Sequence, residues 1–166
     1  MTAGGTVNAG SRATAVLMRG VAPNAAYKGS NQTVTSSTTL QNDNTLFVPV
    51  LASAVYRFDC MLTYQGGTQG SSDLKFAFVG PSGTTMAYSV QGITTAGVAT
   101  AGYVRALAGM AVGSNGGGNS FAVTMTGSVS VGSTAGTLQL QWAQNTSNAT
   151  GTIVQAGSIL TLWQVQ

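Results

Sequence analysis

Apolar residues recur at every second position over much of this chain, and that period decides the class of fold. In the run "VYRFDCMLTY", Tyr56, Phe58, Cys60, Leu62 and Tyr64 fall on one side, and Val55, Arg57, Asp59, Met61 and Thr63 on the other. The same spacing places Phe121, Val123, Met125, Val129 and Val131 together in "SFAVTMTGSVSV", and Leu138, Leu140 and Trp142 together in "TLQLQWAQ". Successive side chains of a strand leave opposite faces, so each run predicts a strand with one buried side. No stretch carries a convincing apolar face at the i, i+3, i+4, i+7 spacing of a helix.

Between these runs stand turn formers. "GPSG" at 80–83 predicts a turn, and "SNGGGN" at 114–119 is a strong breaker. "QTVTSSTTLQ" reads as a Thr-rich edge strand. Pro49 inside "TLFVPVL" predicts an edge position or a bulge, because proline has no N–H to give to a neighbour. Leu74, Phe76 and Phe78 point inward from "LKFAFV", "MAYSVQG" is a short strand, and "ITTAGVATAG" reads as a long loop. Gly127 interrupts an apolar face and marks a bulge or a close crossing. The closing run "SILTLWQVQ" carries apolar residues on both faces, so it is expected inside a sheet and covered on both sides.

The expected fold is all-β: one antiparallel sandwich, jelly-roll-like, of about eight or nine strands. Residues 31–166 form the domain, and residues 1–30 form an extended N-terminal arm. The core is expected from Tyr56, Phe58, Leu62, Phe76, Phe78, Phe121, Val123, Leu138, Leu140, Trp142, Leu160 and Leu162. In the arm, Val16, Leu17 and Met18 between Arg12 and Arg19 are the candidate docking segment for a partner.

Charge is scarce. Only 5% of the 166 residues are Asp, Glu, Lys or Arg, against about 25% in a typical soluble protein. Six dispersed cations and a net charge of +3 make no basic patch, which argues against nucleic acid as a partner. No apolar run has the length of a membrane span, and the N-terminus does not read as a secretory signal. A neutral, hydroxyl-rich surface offers little repulsion between copies and suits a protein packed beside others.

The residue types that catalysis usually needs are missing. There is no His and no Glu, so the common general bases and metal ligands are absent. Asp43, Asp59 and Asp73 are widely spaced, and Arg57 with Asp59 reads as a pair on a solvated sheet face. Cys60 has no His to activate it and reads as a small core residue. No enzyme activity, cofactor or metal is expected. Tyr27, Tyr56, Tyr64, Tyr88 and Tyr103 with the Asn/Thr-rich loops leave a glycan-binding surface open as a further reading.

Three stretches carry a resemblance: "QTVTSSTTLQNDNTLFVPVLASAVYRFDCMLTYQG", "SDLKFAFVGPSGTTMAYSV" and "GTLQLQWAQNTSNATGTIVQAGSILTLWQV". Over about residues 31–166 the chain resembles a β-sandwich module of tailed-bacteriophage virion surface proteins. One sandwich behind a short arm looks like a capsid decoration, or cement, protein. The resemblance implies a non-enzymatic structural role on the outer capsid surface, the major capsid protein as partner, and a homotrimer. The alternative it implies is a minor tail, fibre or spike component that binds a glycan receptor. Nothing in residues 1–30 matches a specific decoration-protein motif.

Overall fold

The alternating runs pair into two antiparallel sheets. The computed structural model describes residues 22–67, 73–94, 96–114, 116 and 118–166. Among them are twelve strands: β1 (Asn24–Tyr27), β2 (Gln32–Val34), β3 (Gln41–Val50), β4 (Val55–Gln65), β5 (Leu74–Val79), β6 (Thr85–Ile93), β7 (Ala99–Val104), β8 (Ala111–Val112), β9 (Ser120–Ser130), β10 (Gly136–Gln144), β11 (Thr152–Val154) and β12 (Ile159–Gln164). The larger sheet runs β1-β12-β4-β9-β6-β7, with β11 and β2 continuing beside β4, and the smaller runs β3-β10-β5-β8.

The order of crossing defines the topology. From β3 to β6 the chain changes sheet at every connection, and it does so again from β7 to β11. The larger sheet thus contains the order β1-β12-β4-β9 and the smaller β3-β10-β5-β8, with Tyr88 of β6 also packed across on Phe78 of β5. This is the wrapping of a jelly roll, with the β6–β7 hairpin extending one sheet.

The core fills the space between the sheets. Phe58, Phe78 and Tyr88 meet edge to face, with centroids 5.4, 5.6 and 5.8 Å apart. That is the arrangement ring quadrupoles favour. Of the core expected from the sequence, Tyr56, Phe58, Leu62, Phe76, Phe78, Val123, Leu138, Leu140, Trp142, Leu160 and Leu162 are buried. Phe121 is only partly buried, packing on the core margin with its ring 6.2 Å from that of Tyr64.

Gly127 lies in β9 between Phe58 of β4 and Tyr88 of β6. A Cβ there would stand 2.1 Å from the Ala87 carbonyl oxygen and 2.6 Å from Tyr88 Cα. The glycine therefore marks a close backbone approach, and no register shift accompanies it in either pairing.

Four expectations are revised. "QTVTSSTTLQ" is a strand only over Gln32–Val34, and the next strand begins at Gln41. "ITTAGVATAG" belongs largely to a hairpin, where β6 and β7 pair from Tyr88↔Val104 to Ile93↔Ala99. Its small residues carry no alternation, so pairing with β6 decides their conformation. The strand count exceeds eight or nine because short pieces such as β2, β8 and β11 complete the edges. Residues 24–27, placed in the arm from sequence, pair with β12 instead. Pro49 lies on β3, an edge strand of the smaller sheet, and β12 lies inside the larger sheet with Ile159 and Trp163 half-buried on its outer side.

Candidate functional site

Two regions of the structure concentrate polar chemistry: a buried ionic knot between the sheets and the outer face of the larger sheet. The knot begins with an irregularity. On β10, Gln139 pairs with Phe47 and Gln141 with Asn42, so the register with β3 shifts by an odd number of residues. Such a shift exchanges the faces of a strand. It turns Asp43 inward, while Leu46, Val48 and Val50 also point in. Gln139 donates to the Asp43 carbonyl at 2.9 Å, covering backbone that the irregularity frees.

Lys28, just past β1, reaches the same point. Its ammonium donates to both carboxylate oxygens of Asp43, at 3.0 and 2.9 Å, and to Asn44 Oδ1 at 2.7 Å. Both side chains are fully buried. Asp43 also accepts from the Trp142 indole at 3.0 Å and from the backbone N–H of Thr45 and Leu46 at 2.9 and 2.8 Å. The Lys28 backbone brackets the turn before β12, donating to Ser158 and accepting from Gly157, whose φ of 94° suits glycine. The knot thus joins an edge of one sheet to two strands of the other.

The buried tyrosines spend their hydroxyls on backbone. The Tyr56 hydroxyl accepts from Leu51 N–H at 2.8 Å, Tyr88 donates to the Ala108 carbonyl at 3.1 Å, and Tyr64 donates to the Gly113 carbonyl. These three cannot belong to a glycan platform, because they occupy inward positions of β4 and β6. Tyr27 and Tyr103 are exposed, but they lie on β1 and β7, the opposite edges of the larger sheet.

Burial pushes the pKa values of Cys60, Tyr64 and Tyr88 upward, helped by the nearby Asp43, Asp73 and Cys60 respectively. In the folded state these groups hold their protons above their ordinary values of 9.0 and 10.0. The unfolded chain releases them first, so the native state binds more protons there and stability falls as pH rises. Two outcomes are expected. A thiol reagent labels Cys60 only after denaturation. The thermal midpoint drops as pH climbs past the ordinary cysteine and tyrosine values, and Tyr64 and Tyr88 add their tyrosinate absorbance only on unfolding.

The second region is the outer face of the larger sheet. Arg57, Asp59, Met61 and Thr63 of β4 lie beside Ser128, Thr126, Thr124 and Ala122 of β9. Arg57 and Asp59 form an ion pair at 3.2 Å, and Asp59 accepts the Thr126 hydroxyl. The Arg57 guanidinium also lies 5.6 Å from the Trp163 ring centroid, and Arg105 lies 5.7 Å from that of Tyr103.

Among the described residues no group of three or more His, Cys, Asp or Glu side chains could hold a metal ion. None of their helices is long and apolar enough to cross a membrane. The candidate docking residues Arg12, Val16, Leu17, Met18 and Arg19 lie outside the described residues.

No family model matches the chain, and no curated protein matches it. Among solved structures, the chain is similar to one of the infectious bursal disease virus Gx strain. There the TM-score is 0.28 at 10% identity, covering 87% of this chain and 37% of that one. A VP2 subviral particle of the same virus gives a TM-score of 0.21 at 8% identity, covering 84% of this chain and 39% of the other. The chain therefore spans well under half the length of these solved chains. Scores this low carry no argument, and the fold stands on the strand order described above.

Proposed function

We propose that this chain is a non-enzymatic structural protein of a bacteriophage virion, a capsid decoration protein that binds the major capsid protein on the outer shell and stabilises it. The observation that carries the reading is the larger sheet's outer face: broad, hydroxyl-rich, and holding one internally compensated ion pair. Such a face buries against a neighbour without stranding charges, whose desolvation costs several kcal/mol each. Jelly rolls are frequent in viral shells and in lectins. The lectin branch is disfavoured because three of the five tyrosines are buried and the two exposed ones are a sheet width apart. The resemblance over residues 31–166 supports the phage reading.

The arm completes the proposal. Residues 12–19 precede β1, and the Lys28 knot holds the end of β1 between the sheets. An arm docked on a shell would pull against that fixed point, and many copies on a lattice would retain one another by avidity.

The test is the copy number in purified virions, by quantitative mass spectrometry against the major capsid protein. A simple fraction of the capsid protein is the expected result. A handful of copies per particle moves the protein to the tail, and absence from the particle overturns both locations. Deleting residues 1–21 is expected to abolish attachment to shells while leaving the thermal midpoint of the domain intact.

A further inference from the structure

The larger sheet is built from eight strands, and Arg57 and Asp59 are the only charged residues on any of them. They project from the same face of β4, one residue apart along that face. Around them lie groups of two kinds. The hydroxyls of Ser128, Thr126 and Thr124 follow along β9. An apolar row crosses three strands, with Tyr27 paired to Ile159 and Ile159 to Met61. Tyr27 and Met61 are 64% and 38% exposed, and Val165 just past β12 is 64% exposed.

We infer that this face is a self-association surface whose occupant is a second copy of this chain, related by a twofold axis lying in the interface across β4 at the level of Phe58. A half-turn about that axis sets Arg57 of each copy over Asp59 of the other. It also brings Met61 toward Val55 of the other copy, and Ile159 toward Val165. A face with one cation beside one anion is complementary to itself after such a rotation, and a twofold contact requires that self-complementarity. Hydroxyls reinforce it, because each both donates and accepts and so pairs with its own kind. A uniformly charged partner of either sign would leave Arg57 or Asp59 uncompensated. A stacked sugar finds the exposed face of Trp163 shared with Arg57 and that of Tyr103 with Arg105.

The inference names the neighbour of this face as a second copy, leaving the arm to engage the shell, and it does not rest on the virion reading. It is tested by sedimentation velocity on the purified chain over a concentration series. The wild type is expected to dimerise. Arg57→Asp and Asp59→Arg each make the face single-signed, and each is expected to weaken association about tenfold or more. Mixing the two variants restores association as a heterodimer, and so does the double variant R57D/D59R, which keeps the face self-complementary. Unchanged thermal melts show that substitution at exposed Arg57 and half-buried Asp59 leaves the fold intact. A wild type that stays monomeric overturns the inference. So do single variants that associate like wild type, a mixture that fails to recover, or a charge-insensitive trimer. Because the measurement uses no shells, its failure leaves the virion reading standing, and absence from virions leaves this inference standing.

Discussion

Replacing Asp43 with alanine is expected to cost about 3–5 kcal/mol of stability, a large share of the roughly 5–15 kcal/mol available to a domain. The carboxylate accepts from the Lys28 ammonium, the Trp142 indole and the backbone of Thr45 and Leu46. Its removal leaves the buried Lys28 cation with only the neutral oxygens of Asn44 and Gln32, and three N–H donors without their acceptor. Lys28→Met is expected to cost less, because the carboxylate keeps those three N–H donors. The order is the diagnostic result: Asp43→Ala below Lys28→Met, both below wild type, by denaturant midpoint at constant m-value. At about 2–4 °C per kcal/mol for a chain of this size, the thermal midpoint of Asp43→Ala falls by roughly 10 °C. Equal losses for the two variants would show that Lys28 and Asp43 contribute only as a pair, with no separate weight for the indole and backbone bonds.

Gly127→Ala is expected to destabilise by about 3 kcal/mol, the upper range for overpacking a well-filled site. The added methyl would sit 2.1 Å from the Ala87 oxygen and 2.6 Å from Tyr88 Cα, so backbone rather than a flexible side chain must move. β9 is interior to the larger sheet and pairs with β4 and β6 along its length. Relieving the clash separates β6 from β9 and disturbs the ring contacts among Phe58, Phe78 and Tyr88. Faster amide exchange in β6 and β9, with β10 and β5 little changed, would accompany the loss. Full stability in Gly127→Ala would mean that β6 yields at no cost and that the close approach does not constrain the sheet.

The residues show where sequence was sufficient. Tyr56, Phe58, Leu62, Leu138, Leu140 and Trp142 could be assigned inward from alternation alone, because the period of a strand is local and needs no knowledge of its neighbour. The arginine and aspartate at 57 and 59 could be placed together on the opposite face for the same reason. The tyrosines were misleading as a set. Their hydroxyls suited a binding surface, but position along β4 and β6 sent three of them inside, where loop carbonyls and an N–H take up the hydroxyls.

The ionic knot was not legible. Lys28 stands in the stretch read as the N-terminal arm, and Asp43 in the polar "NDN" between the runs "QTVTSSTTLQ" and "TLFVPVL". Nothing local signals that the two meet. Their contact depends on β1 pairing with β12 and on the odd register shift between β3 and β10. A polar residue displaced to the buried face by such a shift cannot be told from a turn residue without the partner strand in view.

The sequence by itself determined the strongly alternating strands β4, β5, β9 and β10, their inward faces and a surface nearly without charge, since each follows from residue type and a two-residue period. The tertiary structure alone decided the jelly-roll strand order, the burial of Lys28 against Asp43, the need for glycine at 127 and the isolation of one ion pair on an eight-stranded sheet. Those features depend on pairings between residues far apart in the chain, and the energy that selects among such pairings resides in contacts that exist only once the strands are side by side.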